Sequence, residues 1–236
     1  MASFELALRQ GADGFEFDVQ LSSDGVPMVI HDARLARTTS GSGWVWEHRA
    51  SVLRRLDAGS WFNRRHRLRA RERYAGARIP LLAEALHFVK ARQCQAFVEI
   101  KDYQPGAAAR ILQEIERAGL WHSVRVVSFD LPSLQQTREL SEQARLGLDF
   151  SGRLLPVRQA LALGAEALLP HWAIASRGLI RRAHRAGLQV IPWTVNYPIH
   201  MRRKILEGVD GLITNYPARL TRVWDRIEED RPEWKL

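Results

Sequence analysis

The sequence predicts an α/β fold built on a parallel barrel, and three observations carry the prediction. Glycine recurs where a helical apolar pattern gives way to a strand-like run, at Gly11, Gly119, Gly164, Gly187 and Gly208. Glycine is favoured just past a helix because it takes the left-handed conformation without a Cβ clash. Short echoes follow three of these junctions: Gly11-Ala-Asp-Gly, Gly164-Ala-Glu-Ala and Gly208-Val-Asp-Gly. Between them, brief apolar runs alternate with segments of helical period. That alternation over the whole chain implies a parallel sheet with crossover helices, most simply a (β/α)8 barrel.

The strand-like runs are 15–19, 96–100, 125–129, 144–148, 167–169, 190–194 and 211–214, with a side-hairpin strand over 26–31. Leu82, Ala85, Leu86 and Val89 share one helical face, as do Ile111, Leu112, Ile115 and Ala118. Asp130 and Ser176 are placed to cap helices, the first with Pro132 in the opening turn. Counting Ala2–Arg9 and a segment over 218–227, eight helical segments are expected. A barrel of eight units begins on a strand, whereas this sequence opens in a helix. The first strand is therefore missing from the count, which leaves an unpaired edge.

Composition narrows the classes. The chain has 236 residues and 46% hydrophobic content, enough for one large core, and its apolar runs stop short of a membrane span. Lysine and arginine number 35 against 26 acidic residues, a net charge of +9. That excess fits anionic partners or an arginine-rich proteome equally. A single cysteine, Cys94, excludes an intramolecular disulfide and fits a reducing compartment. A cytoplasmic location is expected.

The richest chemistry lies in Gly11-Ala-Asp-Gly-Phe-Glu-Phe-Asp-Val-Gln20, followed by Val26-Pro-Met-Val-Ile-His-Asp32. In an extended strand Phe15, Phe17 and Val19 face one way and Glu16, Asp18 and Gln20 the other. Carboxylates at i and i+2 stand about 6.5–7 Å apart along the strand, so one cation can be drawn between them. Ser22-Ser23-Asp24-Gly25 is turn chemistry that returns the chain to His31. Two carboxylates and a histidine joined by a hairpin suggest hard-cation chemistry with a proton carrier nearby. Taken alone, Glu-x-Asp also suits a solvated hairpin face. Further on, Glu99 and Lys101 alternate with Val98 and Ile100 and share a face; alone they would suit a surface ion pair as well.

Read in order, these blocks join Thr38-Thr39-Ser-Gly41, Asp57-Ala-Gly-Ser-Trp-Phe62, Ile79-Pro-Leu81, Val98-Glu-Ile-Lys101, Val127-Ser-Phe-Asp130, Trp193-Thr-Val-Asn196 and Gly208-Val-Asp-Gly-Leu-Ile-Thr214. The chain so read resembles the glycerophosphodiester phosphodiesterase family over nearly its whole length. The resemblance implies a TIM barrel of the phospholipase-C-like type, one domain over 1–236 with an insertion covering roughly 35–78. It implies a divalent cation, Mg²⁺ or Ca²⁺, held by Glu16, Asp18 and Glu99. It makes His31 a catalytic acid–base group and Lys101 a catalytic and phosphate-binding one. Trp193 would pack on the glycerol moiety, and Asn196 would orient substrate or cap the next helix. His171, His184 and His200 lie in no motif and are assigned to the surface or to structure.

The expected reaction is metal-dependent hydrolysis of glycerophosphodiesters to glycerol 3-phosphate and an alcohol. The alternatives are a catalytically impaired phosphodiester-binding homologue, or a related enzyme resembling lysophospholipase D or sphingomyelinase D. Family members carry, before their first helix, a strand ending in His-Arg-Gly that supplies a second acid–base histidine. Met1-Ala-Ser-Phe-Glu-Leu-Ala-Leu matches the segment that comes after that strand, so the missing strand and the missing histidine coincide. A start placed too far downstream in the gene is the preferred account over a true truncation. The chain as given is then expected to be unstable and to have little or no activity.

The partner expected is a small-molecule substrate. The basic run from Arg64 to Arg73 usually would be solvated, and otherwise offers a weak contact for anionic membranes. It lacks interleaved aromatics, so nucleic acid is not expected, and no obligate protein partner is evident.

Overall fold

The computed structural model describes residues 1–101, 105–152 and 156–230. Its helices are α1 (Ala2–Arg9), α2 (Ala50–Leu53), α3 (Ser60–Arg65), α4 (Leu82–Arg92), α5 (Ala107–Ala118), α6 (Leu131–Leu140), α7 (Val157–Ala162), α8 (Arg177–Arg185), α9 (Pro198–Glu207) and α10 (Pro217–Asp230). The strands are β1 (Gly14–Leu21), β2 (Pro27–Val29), β3 (Gln95–Ile100), β4 (Val124–Ser128), β5 (Arg145–Phe150), β6 (Ala167–Pro170) and β7 (Gln189–Val190). They form one sheet in the order β2-β1-β3-β4-β5-β6-β7. The pairings from β1 to β7 are parallel, and β2 adds to β1 antiparallel through the hairpin.

Alternation along each strand sorts the side chains into two compartments. Phe15, Phe17 and Val19 join Val98, Val126, Leu146 and Leu148 beneath the helices, where Phe4 of α1 stacks on Phe15 at 4.6 Å. The opposite faces converge: Phe97, Val127, Ala167, Leu169, Ile191, Trp193 and Ile213 form a single inner cluster. Residues from β3 through to Ile213 meet there only because the sheet curls as a barrel wall. The amino-terminal end of that interior is filled by Arg125, which donates to Glu166 at 2.8 Å and to Gln189 at 3.0 Å.

The expected junctions hold. All five glycines have positive φ, and Gly119 and Gly208 close α5 and α9 in the left-handed conformation. Asp130 accepts from the Ser133 amide and Ser176 from the Leu179 amide, as N-caps. One glycine serves a different end. A Cβ on Gly14 would lie 2.4 Å from the Gln95 carbonyl oxygen, so β1 and β3 approach here as only glycine allows.

Three expectations need correction. The run 211–214 is extended but forms no strand. Its Ile213 amide donates to Pro192 and its Ile213 carbonyl accepts from Val195, while its other edge has no ladder partner among the described residues. The run over 190–194 shortens to β7 because Pro192 has no N–H to continue a ladder. Among the described residues ten α-helices stand where eight helical segments were expected; α2 and α3 lie within the 35–78 insertion. That insertion builds a small core of its own from Leu35, Val45, Ala50 and Leu53, seated on Met28 of the hairpin.

Candidate active site

Strands β1 and β3 run side by side with Asp18 opposite Glu99 and Glu16 opposite Phe97. One oxygen each from Glu16, Asp18 and Glu99 lies within 4.8 Å of the others, a group that can hold a metal ion. The Lys101 ammonium sits 2.8 Å from Glu99 Oε1 and 3.3 Å from Asp18 Oδ1. Asp18 and Glu99 lie past the middle of their strands, toward the carboxyl ends where barrel active sites gather, and Glu16 precedes Asp18 by one alternation on β1.

The electrostatics are those of a cation trap. Burial pushes the Glu16 carboxyl well above the carboxylate range, and Asp18 and Glu99 push it further; Lys101 offsets only part. Burial raises Glu99 as well, against the pull of Lys101. Burial works against the Lys101 charge too, but Glu99 and Asp18 outweigh it and its pKa is raised. Three carboxylates facing one ammonium leave a formal excess of two negative charges, which one divalent cation would cancel. Among the described residues, Glu16 Oε1 also has no hydrogen-bond partner although it is buried. An orphaned oxygen among hard oxygen donors fits a cation of the Mg²⁺ or Ca²⁺ kind.

His31 lies outside this group. Its ring is 65% exposed and its Nδ1 is 2.7 Å from Asp32 Oδ1, which fixes the ring's orientation. Asp32 is also paired with Arg37; that hydrogen bond chiefly, with His31 helping, holds the carboxyl down at about 2. From inside the barrel, the buried Gln20 amide donates to the His31 carbonyl at 2.9 Å and the Ile30 carbonyl at 3.2 Å. Gln20 thus pins the peptide that carries His31 to the strand that carries Glu16 and Asp18.

Trp193 forms the apolar side. Its indole N–H donates to the Leu169 carbonyl at 2.7 Å, and its ring meets Phe129 edge-on at 5.4 Å and His171 at 5.3 Å. Phe129 in turn lies 5.7 Å from the Lys101 ammonium, so acidic and aromatic walls adjoin. Asn196 stands further along. Its side-chain oxygen accepts from the Asn215 amide at 2.9 Å and the Thr214 hydroxyl at 3.3 Å, and the N-cap position of α9 falls to Tyr197, whose side chain makes no capping bond.

Two residues escaped the sequence reading. Asp149 on β5 is buried, and its Oδ2 has no hydrogen-bond partner among the described residues. Its neighbours Leu148 and Phe150 pack outward under the helices, so Asp149 faces inward. Burial raises its pKa strongly, with Glu99 and Glu16 adding to the effect. His171, assigned from sequence to surface or structure, sits against Trp193 at the mouth. His184 pairs with Asp210 and His200 packs on Trp172, away from the cluster.

The glycerophosphoryl diester phosphodiesterase family matches residues 1–219. The chain belongs to that family. A glycerophosphodiester phosphodiesterase of Caldanaerobacter subterraneus subsp. tengcongensis is 33% identical over 224 residues, covering 93% of this chain and 89% of that protein. One from Bacillus subtilis is 32% identical over 231 residues, covering 91% and 78%. Among solved structures, an Oleispira antarctica phosphodiesterase in complex with the product sn-glycerol-3-phosphate aligns with TM-score 0.83 at 25% identity, covering 95% of this chain and 90% of that one. Glycerophosphodiester phosphodiesterase from Agrobacterium tumefaciens aligns at 0.77 with 27% identity, covering 92% and 90%. The fold is the TIM-barrel type of this family, and the enzyme class is phosphodiester hydrolysis. No described helix is long and apolar enough to cross a membrane.

Proposed function

We propose, contrary to the expectation of little or no activity drawn from the sequence, that this chain hydrolyses glycerophosphodiesters to glycerol 3-phosphate and an alcohol at a divalent-cation site. The observation that carries the reading is the Glu16, Asp18 and Glu99 group with Lys101 bound to its edge, at the carboxyl end of a family barrel. Those three carboxylates would hold Mg²⁺ or Ca²⁺. Bound there, the cation supplies Lewis acidity toward the phosphoryl oxygens.

Lys101 places a positive charge beside the phosphate, aimed at charge that grows in the transition state. His31 transfers a proton through Nε2, since Nδ1 is committed to Asp32. Trp193, braced by Phe129, offers an apolar wall to the glycerol carbons. Asn196 acts on substrate indirectly, by holding the 214–215 turn. The whole chain serves as one phosphodiesterase domain, with 35–78 as an insertion. The lone, buried Cys94 fits a cytoplasmic setting.

The test pairs turnover with cation binding. Glycerol 3-phosphate released from glycerophosphocholine should vanish with chelator and return with Mg²⁺ or Ca²⁺. Glu16→Gln should abolish both release and calorimetric Ca²⁺ binding, whereas His31→Ala should abolish release alone. Release that survives chelation sinks the reading, and so does Ca²⁺ binding that survives Glu16→Gln.

A further inference from the structure

The charge of this chain is not spread over it. Residues 35–78 hold eleven arginines, no lysine and three acidic residues, so this insertion carries +8 of the total +9. The remaining residues are close to neutral. An arginine-rich proteome would load the surface throughout, so the concentration points to a partner of this one segment.

The segment is also shaped. Asn63 donates to the Arg71 carbonyl at 2.9 Å and accepts from the Arg71 amide at 3.0 Å. That reciprocal pair closes a loop from which Arg64, Arg65, Arg67 and Arg69 all project to solvent. Between the last two stands Leu68, 98% exposed. A lone exposed leucine is ordinary on a protein surface; what marks this one is its place among four exposed arginines. It is the pattern of an interfacial anchor, in which an apolar tip enters the acyl boundary while guanidinium groups meet anionic headgroups.

The position of the loop gives that anchor a direction. Arg69 lies over the Tyr216 ring at 5.4 Å, one residue past the 214–215 turn that Asn196 holds. At the other flank, Arg37 pairs with Asp32 beside His31. The insertion therefore touches the barrel mouth on both flanks, which sets a surface held by the loop beside the opening.

We propose that the loop closed by Asn63 and Arg71 docks the enzyme on anionic lipid bilayers, with Leu68 inserted and Arg64, Arg65 and Arg67 against the headgroups. The inference goes beyond the hydrolytic reading and stands apart from it, because vesicle binding needs no turnover. The tip of one leucine and a few arginines makes the attachment reversible, not a permanent anchor.

The experiment is co-sedimentation of the full chain with phosphatidylglycerol-rich vesicles and with phosphatidylcholine vesicles. Binding should be confined to the anionic vesicles. It should be lost as salt rises from about 0.1 M to about 1 M, where the screening length falls from about 10 Å to about 3 Å. Each arginine near an anionic surface is worth about fivefold. The Arg64→Ser, Arg65→Ser, Arg67→Ser triple variant should then bind about a hundredfold more weakly, and Leu68→Asp about tenfold. All four positions are exposed, and unchanged thermal melting would show that the variants fold. Equal binding to both vesicle types, or no effect of the triple variant, overturns the proposal. So does tighter binding to a DNA duplex than to the vesicles, lost in the same variant, which would assign the loop to nucleic acid. Hydrolysis that fails while vesicle binding persists leaves this inference intact and removes only the catalytic one.

Discussion

Asp18 and Glu99 stand opposite one another in the β1–β3 register, and a single ammonium, that of Lys101, contacts both. One amine shared between two carboxylates, with Glu16 beside them, leaves the group short of positive charge. Most of the site's expected behaviour stems from that shortage.

Removing one of the three acids should collapse cation affinity. Changes to groups that merely orient metal ligands cost about 10–100-fold in affinity, so Glu99→Gln, which deletes a direct donor, should exceed a hundredfold in Ca²⁺ titration calorimetry. Lys101→Met should act oppositely, leaving cation affinity unchanged or tighter while kcat/KM for glycerophosphocholine falls steeply. Equal losses of both quantities in both variants would contradict the division of labour.

Stability without cation should fall with pH across neutrality. Burial pushes Glu16 up to about 8, so the folded chain binds more protons than the unfolded one between about 4.5 and about 8. Stability then declines as pH rises through that window. Asp32, held down near 2, has the opposite sign, but its contribution is fully present above about 4 and lies outside the window. Thermal melts in chelator should give a lower Tm at pH 8 than at pH 6. Added Ca²⁺ should raise Tm more at pH 8, and a flat profile in chelator would refute the charge assignment.

Asp149 makes a sharper version of the same case. It is buried, its Oδ2 has no partner among the described residues, and it feels Glu99 and Glu16. Asp149→Asn keeps the shape and removes the ionisable proton. The variant should therefore melt higher than the parent in chelator at pH 8, by more than it does at pH 5, because the loss begins once pH passes the ordinary aspartate range. A lower Tm at both values would mean that Asp149 has a structural partner the geometry does not suggest.

Gln20 should control His31 without touching the cation. Its amide holds the carbonyls of residues 30 and 31. Gln20→Ala leaves buried acceptors unmet, which costs about 1–3 kcal/mol of stability. We expect kcat to fall about tenfold with Ca²⁺ affinity preserved, since the backbone bearing the imidazole loses its brace. Unchanged kcat in a folded variant would show that the hairpin holds itself.

Much of this site is legible in the sequence alone, for a physical reason. Glu16, Asp18 and Gln20 announce a shared face because a strand alternates strictly, and Glu99 with Lys101 does so again. Local capping rules likewise place Asp130 and Ser176 at helix starts. The features that resist such reading depend on neighbours distant in sequence. Asp149 sits in Gly-Leu-Asp-Phe, indistinguishable from a plain strand until β1 and β3 bring carboxylates to face it. Asn196 fits substrate binding and helix capping equally well by sequence, yet its partners, Thr214 and Asn215, belong to another unit of the barrel. The run 211–214 has the composition of a strand, but a ladder needs a partner on its edge. Only the fold supplies or withholds one.

Gly14 and Asp18 are four residues apart on one strand, about 13 Å by strand rise. The close approach of Gly14 to Gln95 sets the spacing of β1 and β3 below the acid trio. A methyl group there would wedge the two staves apart at their base and tilt their upper ends. On the cation reading proposed above, ion preference would shift through a position that never meets the ion, so a search for its determinants that stops at the three acids would overlook one of them.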